Sequence, residues 1–224
     1  MPDYPAIWQF INDGDPYDPW GWQAEHVHNR SDSKRLILAC GRRAGKTTAI
    51  KAEIVREALQ PKTEQFGVYH APYIYVIAPN YELTMKVWEP VWNLFVGPGA
   101  ALRDYYASHD KTRKLIELQN GARIQAKSAD DPTSLQGDRV TAAFVDEAHD
   151  LNPEAWGNFM PALADSDGRL DAIGIAKSGR KQTPAIILPR LPRLNTPILQ
   201  KTRSRNSGVT SPMHNLDNNT WPNG

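Results

Sequence analysis

One cysteine, Cys40, is all the chain has. That excludes an intrachain disulfide and a cysteine-based metal site, and it suits a reducing cytoplasm. No stretch comes near the roughly 20 consecutive apolar residues a bilayer span requires. Residues 1–10 lack the basic start and apolar run of a secretory signal, so a soluble protein with no membrane partner is expected. Charge of one sign is lacking too: 26 Lys and Arg stand against 25 Asp and Glu, so net charge carries no signature of nucleic-acid binding. No internal repeat is present. What remains is a 224-residue chain, 40% hydrophobic and 23% charged. This is an ordinary globular composition with room for one well-cored domain plus extensions. Its charge is unevenly placed, since the stretch from Lys177 to Arg205 holds eight Lys or Arg and no acid.

Hydrophobic patterning divides the chain. Residues 1–30 are rich in Pro, Trp, Asp and Gly and read as an irregular arm with aromatic anchors, Trp20 and Trp22 among them. The short apolar run 36–39 with its glycine-rich exit predicts a buried strand. Residues 47–59 then carry Ile50, Ile54, Val55 and Ala58 at helical spacing, and Pro61 ends the helix. A second strand is predicted over 73–77. A helix over 81–95 follows, with Leu83, Val87, Val91 and Leu94 on one side and Pro90 expected to kink it. Asn120-Gly121 between two apolar runs predicts a hairpin, and 140–145 a core strand. Asn152-Pro153 predicts an N-cap with proline at the first helical position, opening a helix to about residue 164. A further strand is expected over 170–175. Strands alternating with helices predict an α/β fold with a mostly parallel sheet covered on both faces. From 179 to 224 the prolines, basic residues, Ser and Asn read as a flexible tail.

Between the first strand and first helix stands Cys40-Gly41-Arg42-Arg43-Ala44-Gly45-Lys46-Thr47-Thr48. Successive backbone N–H groups in such a loop wrap an anionic phosphate, and the helix N-terminus adds its partial positive charge. Lys46 would neutralise the β- and γ-phosphates of ATP, and the Thr47 hydroxyl would ligate Mg2+. The common spacing puts a glycine at position 40, where this chain has Cys40 followed by Gly41. Far downstream, the strand ending at Val145 runs directly into Asp146-Glu147. Two acids at the carboxyl edge of a parallel sheet stand where open α/β folds bind ligands. Asp146 would hold Mg2+, and Glu147 would orient and deprotonate the attacking water. The same pair could instead be a helix N-cap.

These residues resemble the large terminase subunits of tailed phages, the ATPases that pump DNA into procapsids. The loop over 41–47 looks like their phosphate-loop variant with arginine inside it. Asp146-Glu147-Ala148-His149 resembles their acidic motif, Leu135-Gln136-Gly137-Asp138 the segment before it, and 75–79 their second core strand. The resemblance covers about residues 20–178. It implies a P-loop NTPase of the RecA-like ASCE class, a three-layer sandwich over 31–178. It implies that Gln23 reads adenine and that Arg42 stabilises charge on the transferring phosphoryl group, with a loop-packing role for Arg42 as the alternative. Double-stranded DNA, a portal protein and a small terminase subunit are the implied partners, in a homo-oligomeric ring in the host cytoplasm. Two departures bear on this. Residues 174–179 lack the hydroxyl–proline pair that couples hydrolysis to movement in the family. The single acid after Asp171, Asp217, is too few for the two-metal nuclease the family carries, so a truncated or split product without nuclease activity is expected.

Two other functions fit parts of the pattern. Asp-Glu-Ala-His at 146–149 also occurs in DEAH-box helicases, which need a second RecA-like domain. A nucleotide- or DNA-binding accessory protein without turnover would use the basic tail for salt-sensitive phosphate contacts.

Overall fold

A computed structural model describes residues 16–29, 34–65, 68–175 and 185–186. The strands are β1 (Arg35–Ala39), β2 (Thr63–Gln65), β3 (Val68–His70), β4 (Tyr73–Ala78), β5 (Tyr106–Asp110), β6 (Leu115–Leu118), β7 (Arg123–Ser128), β8 (Ala142–Val145), β9 (Arg169–Gly174) and β10 (Ala185–Ile186). Three long helices, α1 (Lys46–Ala58), α2 (Tyr81–Phe95) and α3 (Pro153–Asp165), connect them.

The main sheet has the order β10-β1-β9-β8-β4-β7-β6-β5, and β2 and β3 form a separate hairpin. Neighbouring strands from β1 through β7 in that order run parallel. The outer pairs β7–β6, β6–β5 and β1–β10 are antiparallel. The expected mostly parallel α/β sheet is therefore the one observed.

Side-chain alternation along the central strands explains the layers. Ile74 and Val76 of β4 and Phe144 of β8 enter one apolar cluster with Ile50, Ile54 and Val55 of α1 and Val87 and Val91 of α2. Their neighbours Tyr75, Ile77, Ala143 and Val145 enter a second cluster with Ala155, Phe159 and Leu163 of α3. Successive residues of a strand face opposite sides, so each central strand feeds two cores and is buried on both faces, as a parallel sheet requires. The result is three layers: helices, sheet, helix.

Local signals in the sequence hold. The Asn152 side chain accepts from Glu154 N, with Pro153 at the first helical position. Asn80 caps α2 through Leu83 N. Pro90 does not end α2, which continues to Phe95.

Three expectations need correction. Residues 21–28 are not irregular: Gly21–Gln23 is a helical turn continued by a π-turn over Ala24–His28. Its amide groups are satisfied locally, by Trp20 O among others, so the proline- and aromatic-rich composition did not prevent a turn of helix. Within it Trp22 packs on the core, but Trp20 is 56% exposed and is no anchor. The short strand β10 lies in the stretch read as tail; the rest of that stretch is outside the described residues. Among the described residues, no helix is long and apolar enough to cross a membrane.

Candidate functional site

The carboxyl ends of β1, β9 and β8 converge on one edge of the sheet, with β9 between the other two. Cys40 N donates to Gly174 O at 3.2 Å, which joins the start of the loop after β1 to the end of β9. That loop then turns on two left-handed residues, Arg43 (φ 58°) and Gly45 (φ 72°). Gly45 is required twice over. Its φ favours glycine, and a Cβ there would stand 2.6 Å from Gln23 Nε2.

The loop delivers its side chains into a cleft of about 550 Å3, a size typical of small-ligand sites. Arg42, Arg43, Ala44, Gly45, Lys46, Thr47 and Thr48 line one side of it, and Glu147, His149 and Asp150 line another. Arg42 and Arg43 are exposed at its rim, whereas Lys46 is buried. Lys46 Nζ donates to Gly41 O at 2.8 Å and to Cys40 O at 3.4 Å, spanning the loop from within.

Asp146 is held against this loop. Its backbone N donates to Ile77 O of β4, and its Oδ1 accepts from Glu147 N at 2.8 Å. Thr47 Oγ1 donates to Asp146 Oδ2 at 3.3 Å. Burial, with the adjacent Glu147 charge adding to it, pushes the Asp146 carboxyl above the usual range, against the hydrogen bonds that stabilise its charge. A carboxylate penalised in this way gains from a cation brought beside it. Glu147, just past the end of β8, sits in a left-handed conformation (φ 46°) that a non-glycine residue rarely adopts. Its Oε2 is buried without a hydrogen-bond donor.

Of the residues read from sequence as site residues, Arg42 to Thr48 and Glu147 line the cleft, whereas Gly41, Asp146 and Gln23 do not line it and instead bond to the residues of the loop. Gln23 is buried at 2% exposure and does not line the cleft. Its Oε1 accepts from Trp20 N at 2.7 Å and its Nε2 donates to Gly45 O at 3.0 Å, so it braces the loop from behind. Gln23→Ala is expected to lower stability by about 1 kcal/mol by removing both partners. The unfolding midpoint should fall by about 2–4 °C; an unchanged midpoint would show that the brace is dispensable.

Sequence reading missed other parts of the cleft. Leu83, counted there on the apolar side of its helix, is only partly buried and forms an apolar wall beside the loop. Its place in the first turn of α2, over the sheet edge, was the available signal. Ile175, one residue past β9, also lines the cleft. Residues 176–179, where the coupling pattern was sought, lie outside the described residues.

Residues 37–156 match the family described as terminase large subunit, T4likevirus-type, N-terminal. No curated protein matches the chain. Among solved structures, the large terminase ATPase domain of Thermus phage P74-26 is similar at 24% identity and a TM-score of 0.56, covering 73% of this chain and 67% of that one. The large terminase of bacteriophage HK97 is similar at 18% identity and a TM-score of 0.57, covering 78% of this chain. This chain spans 38% of the length of the HK97 protein. At these identities the likeness is one of fold.

Proposed function

Because the chain belongs to the family of T4likevirus-type terminase large subunits, matching their N-terminal part, we propose that it is the ATP-hydrolysing portion of a viral DNA-packaging motor. One observation carries the reading: the Thr47 hydroxyl of the phosphate loop meets the Asp146 carboxylate of a distant strand at 3.3 Å, beside buried Lys46.

In this mechanism the amides over 41–48 wrap the terminal phosphates of ATP, and Lys46 Nζ exchanges its loop carbonyls for phosphate oxygens. Thr47 and Asp146 offer two hard oxygen donors. Among the described residues no group of three or more His, Cys, Asp or Glu gathers to hold a metal. One carboxylate and one hydroxyl beside a phosphate site suit Mg2+, which keeps waters and takes few protein ligands. When bound there, the ion would neutralise charge on the phosphate oxygens.

Glu147, with a carboxylate oxygen lacking a donor, accepts the proton of the attacking water. The water oxygen bonds to the γ-phosphorus as the bond to the β-bridging oxygen breaks. Arg42, exposed at the rim, swings onto the developing phosphoryl charge. Gln23 acts on the nucleotide through Gly45, which it holds. Double-stranded DNA is the track in this reading. The portal protein and small terminase subunit are partners of a homo-oligomeric ring working in the host cytoplasm.

Lys46→Ala tests the site. Loss of a charge-assisted contact should weaken ATP affinity by about tenfold to a hundredfold, measured by titration with a fluorescent ATP analogue. Unchanged affinity would remove the phosphate loop from nucleotide binding.

A further inference from the structure

His149 has no role in the mechanism above, yet it lies between Glu147 and the end of β9. It stands on the short turn Ala148–Asp150 that follows Glu147. Its Nδ1 is 3.4 Å from Glu147 Oε2 and 3.3 Å from the backbone N of Ile175. Its Nε2 is 3.2 Å from Asp150 Oδ2. The ring packs directly on the end of β9: a Cβ on Gly174 would come within 3.0 Å of Nδ1 and 3.6 Å of the His149 Cβ.

One ring nitrogen either accepts a hydrogen bond or donates one. With the ring hydrogen on Nε2, facing Asp150, Nδ1 accepts from Ile175 N–H. Glu147 Oε2 is then left without a donor and is free to take a proton from water. With the hydrogen on Nδ1, the ring donates to Glu147 Oε2 instead, and the Ile175 amide loses its acceptor. The two arrangements exclude each other at a single atom.

We propose that His149 is a positioning residue whose Nδ1 holds either the Ile175 amide or the Glu147 carboxylate, and so ties the availability of the base to the position of the chain leaving β9. This rests on the role of Glu147 proposed above. It also supplies a link between the hydrolytic site and the strand-end segment in a chain whose residues 174–179 lack the hydroxyl–proline pair. The link runs through a side chain of the acidic motif to a backbone amide, which asks nothing of the residue type at 175.

Two measurements test it. Nitrogen-15 NMR of the imidazoles in the wild-type chain should find His149 as the Nε2–H tautomer, and the Nδ1–H tautomer would overturn the proposal whether or not the protein hydrolyses ATP. In steady-state hydrolysis, His149→Ala should lower kcat about tenfold to a hundredfold with KM for ATP held within about twofold. His149→Asn, which sets an acceptor oxygen where Nδ1 stands, should recover most of that loss. Wild-type kcat in the Ala variant, a raised KM, or no recovery by Asn would each overturn the proposal. Should His149→Ala fail to fold, Gly174→Ala takes its place: its methyl displaces the ring, and kcat should fall with KM unchanged. An unaltered kcat there overturns the proposal equally. A wild-type chain that binds ATP without hydrolysing it would sink the ATPase reading itself, and the tautomer would still report the geometry of His149.

Discussion

Glu147→Gln should lower kcat for ATP by a factor of about 100 to 10,000, the range that a positioned general base contributes, and should leave nucleotide affinity nearly unchanged. The substitution keeps the shape and the left-handed turn at 147 but replaces the proton acceptor with an amide. Glu147 touches neither the loop carbonyls held by Lys46 nor the Thr47 hydroxyl, so binding should survive. The comparison separates an enzyme from a passive nucleotide binder. Equal turnover in the two proteins would remove Glu147 as the base, and no turnover in either would favour an accessory role. Affinity lost together with turnover would place Glu147 among the binding groups.

Arg169→Met should destabilise the fold by about 3–5 kcal/mol, the cost of leaving buried charges without their partner. Arg169, at the start of β9, bonds Glu53 of α1, lies 3.4 Å from Glu57 and 2.7 Å from Asp171, and stacks over Phe144. Glu53 also meets Arg56 at 2.6 Å and His28 Nδ1 at 2.6 Å, and His28 Nε2 lies 2.9 Å from the Tyr17 hydroxyl. The network therefore joins the N-terminal turn, the phosphate-loop helix and the strand that ends beside the cleft. Burial already raises the Glu57 carboxyl above its usual range, against the opposing pull of Arg169 and Arg56. With Arg169 gone, that rise should grow. A carboxyl whose folded pKa lies above its unfolded one costs stability at high pH, and the cost disappears as pH falls below both values. The stability deficit of Arg169→Met, measured by urea unfolding, should accordingly shrink as pH is lowered from neutral. A deficit below about 1 kcal/mol, or one that grows in acid, would mean that the acids are solvated and the network is not a buried one.

These features differ in how far local chemistry sets their conformation. Asn152-Pro153, the run over 73–77 and the loop over 41–48 carry their conformations in local chemistry: caps, β-branched runs and glycine positions. Asp-Glu-Ala-His, as four letters, fits a helicase as well; the family match over 37–156 places it among terminases. Trp20 was misread because an aromatic side chain has no local signal for which way it faces. The turn over 21–28 was misread because composition spoke against a helix that Gln23 and Trp20 hold together.

By itself, the sequence determined the alternation of strands and helices, the phosphate loop and the acidic pair, because each rests on residues within one turn or one strand of each other. Tertiary structure alone decided that β9 stands between β1 and β8, that Thr47 meets Asp146, that Gln23 braces Gly45 and that Arg169 gathers Glu53 and Glu57. Those pairings join residues far apart in the chain, and strand order, which sets them, is fixed only when both faces of the sheet have been buried.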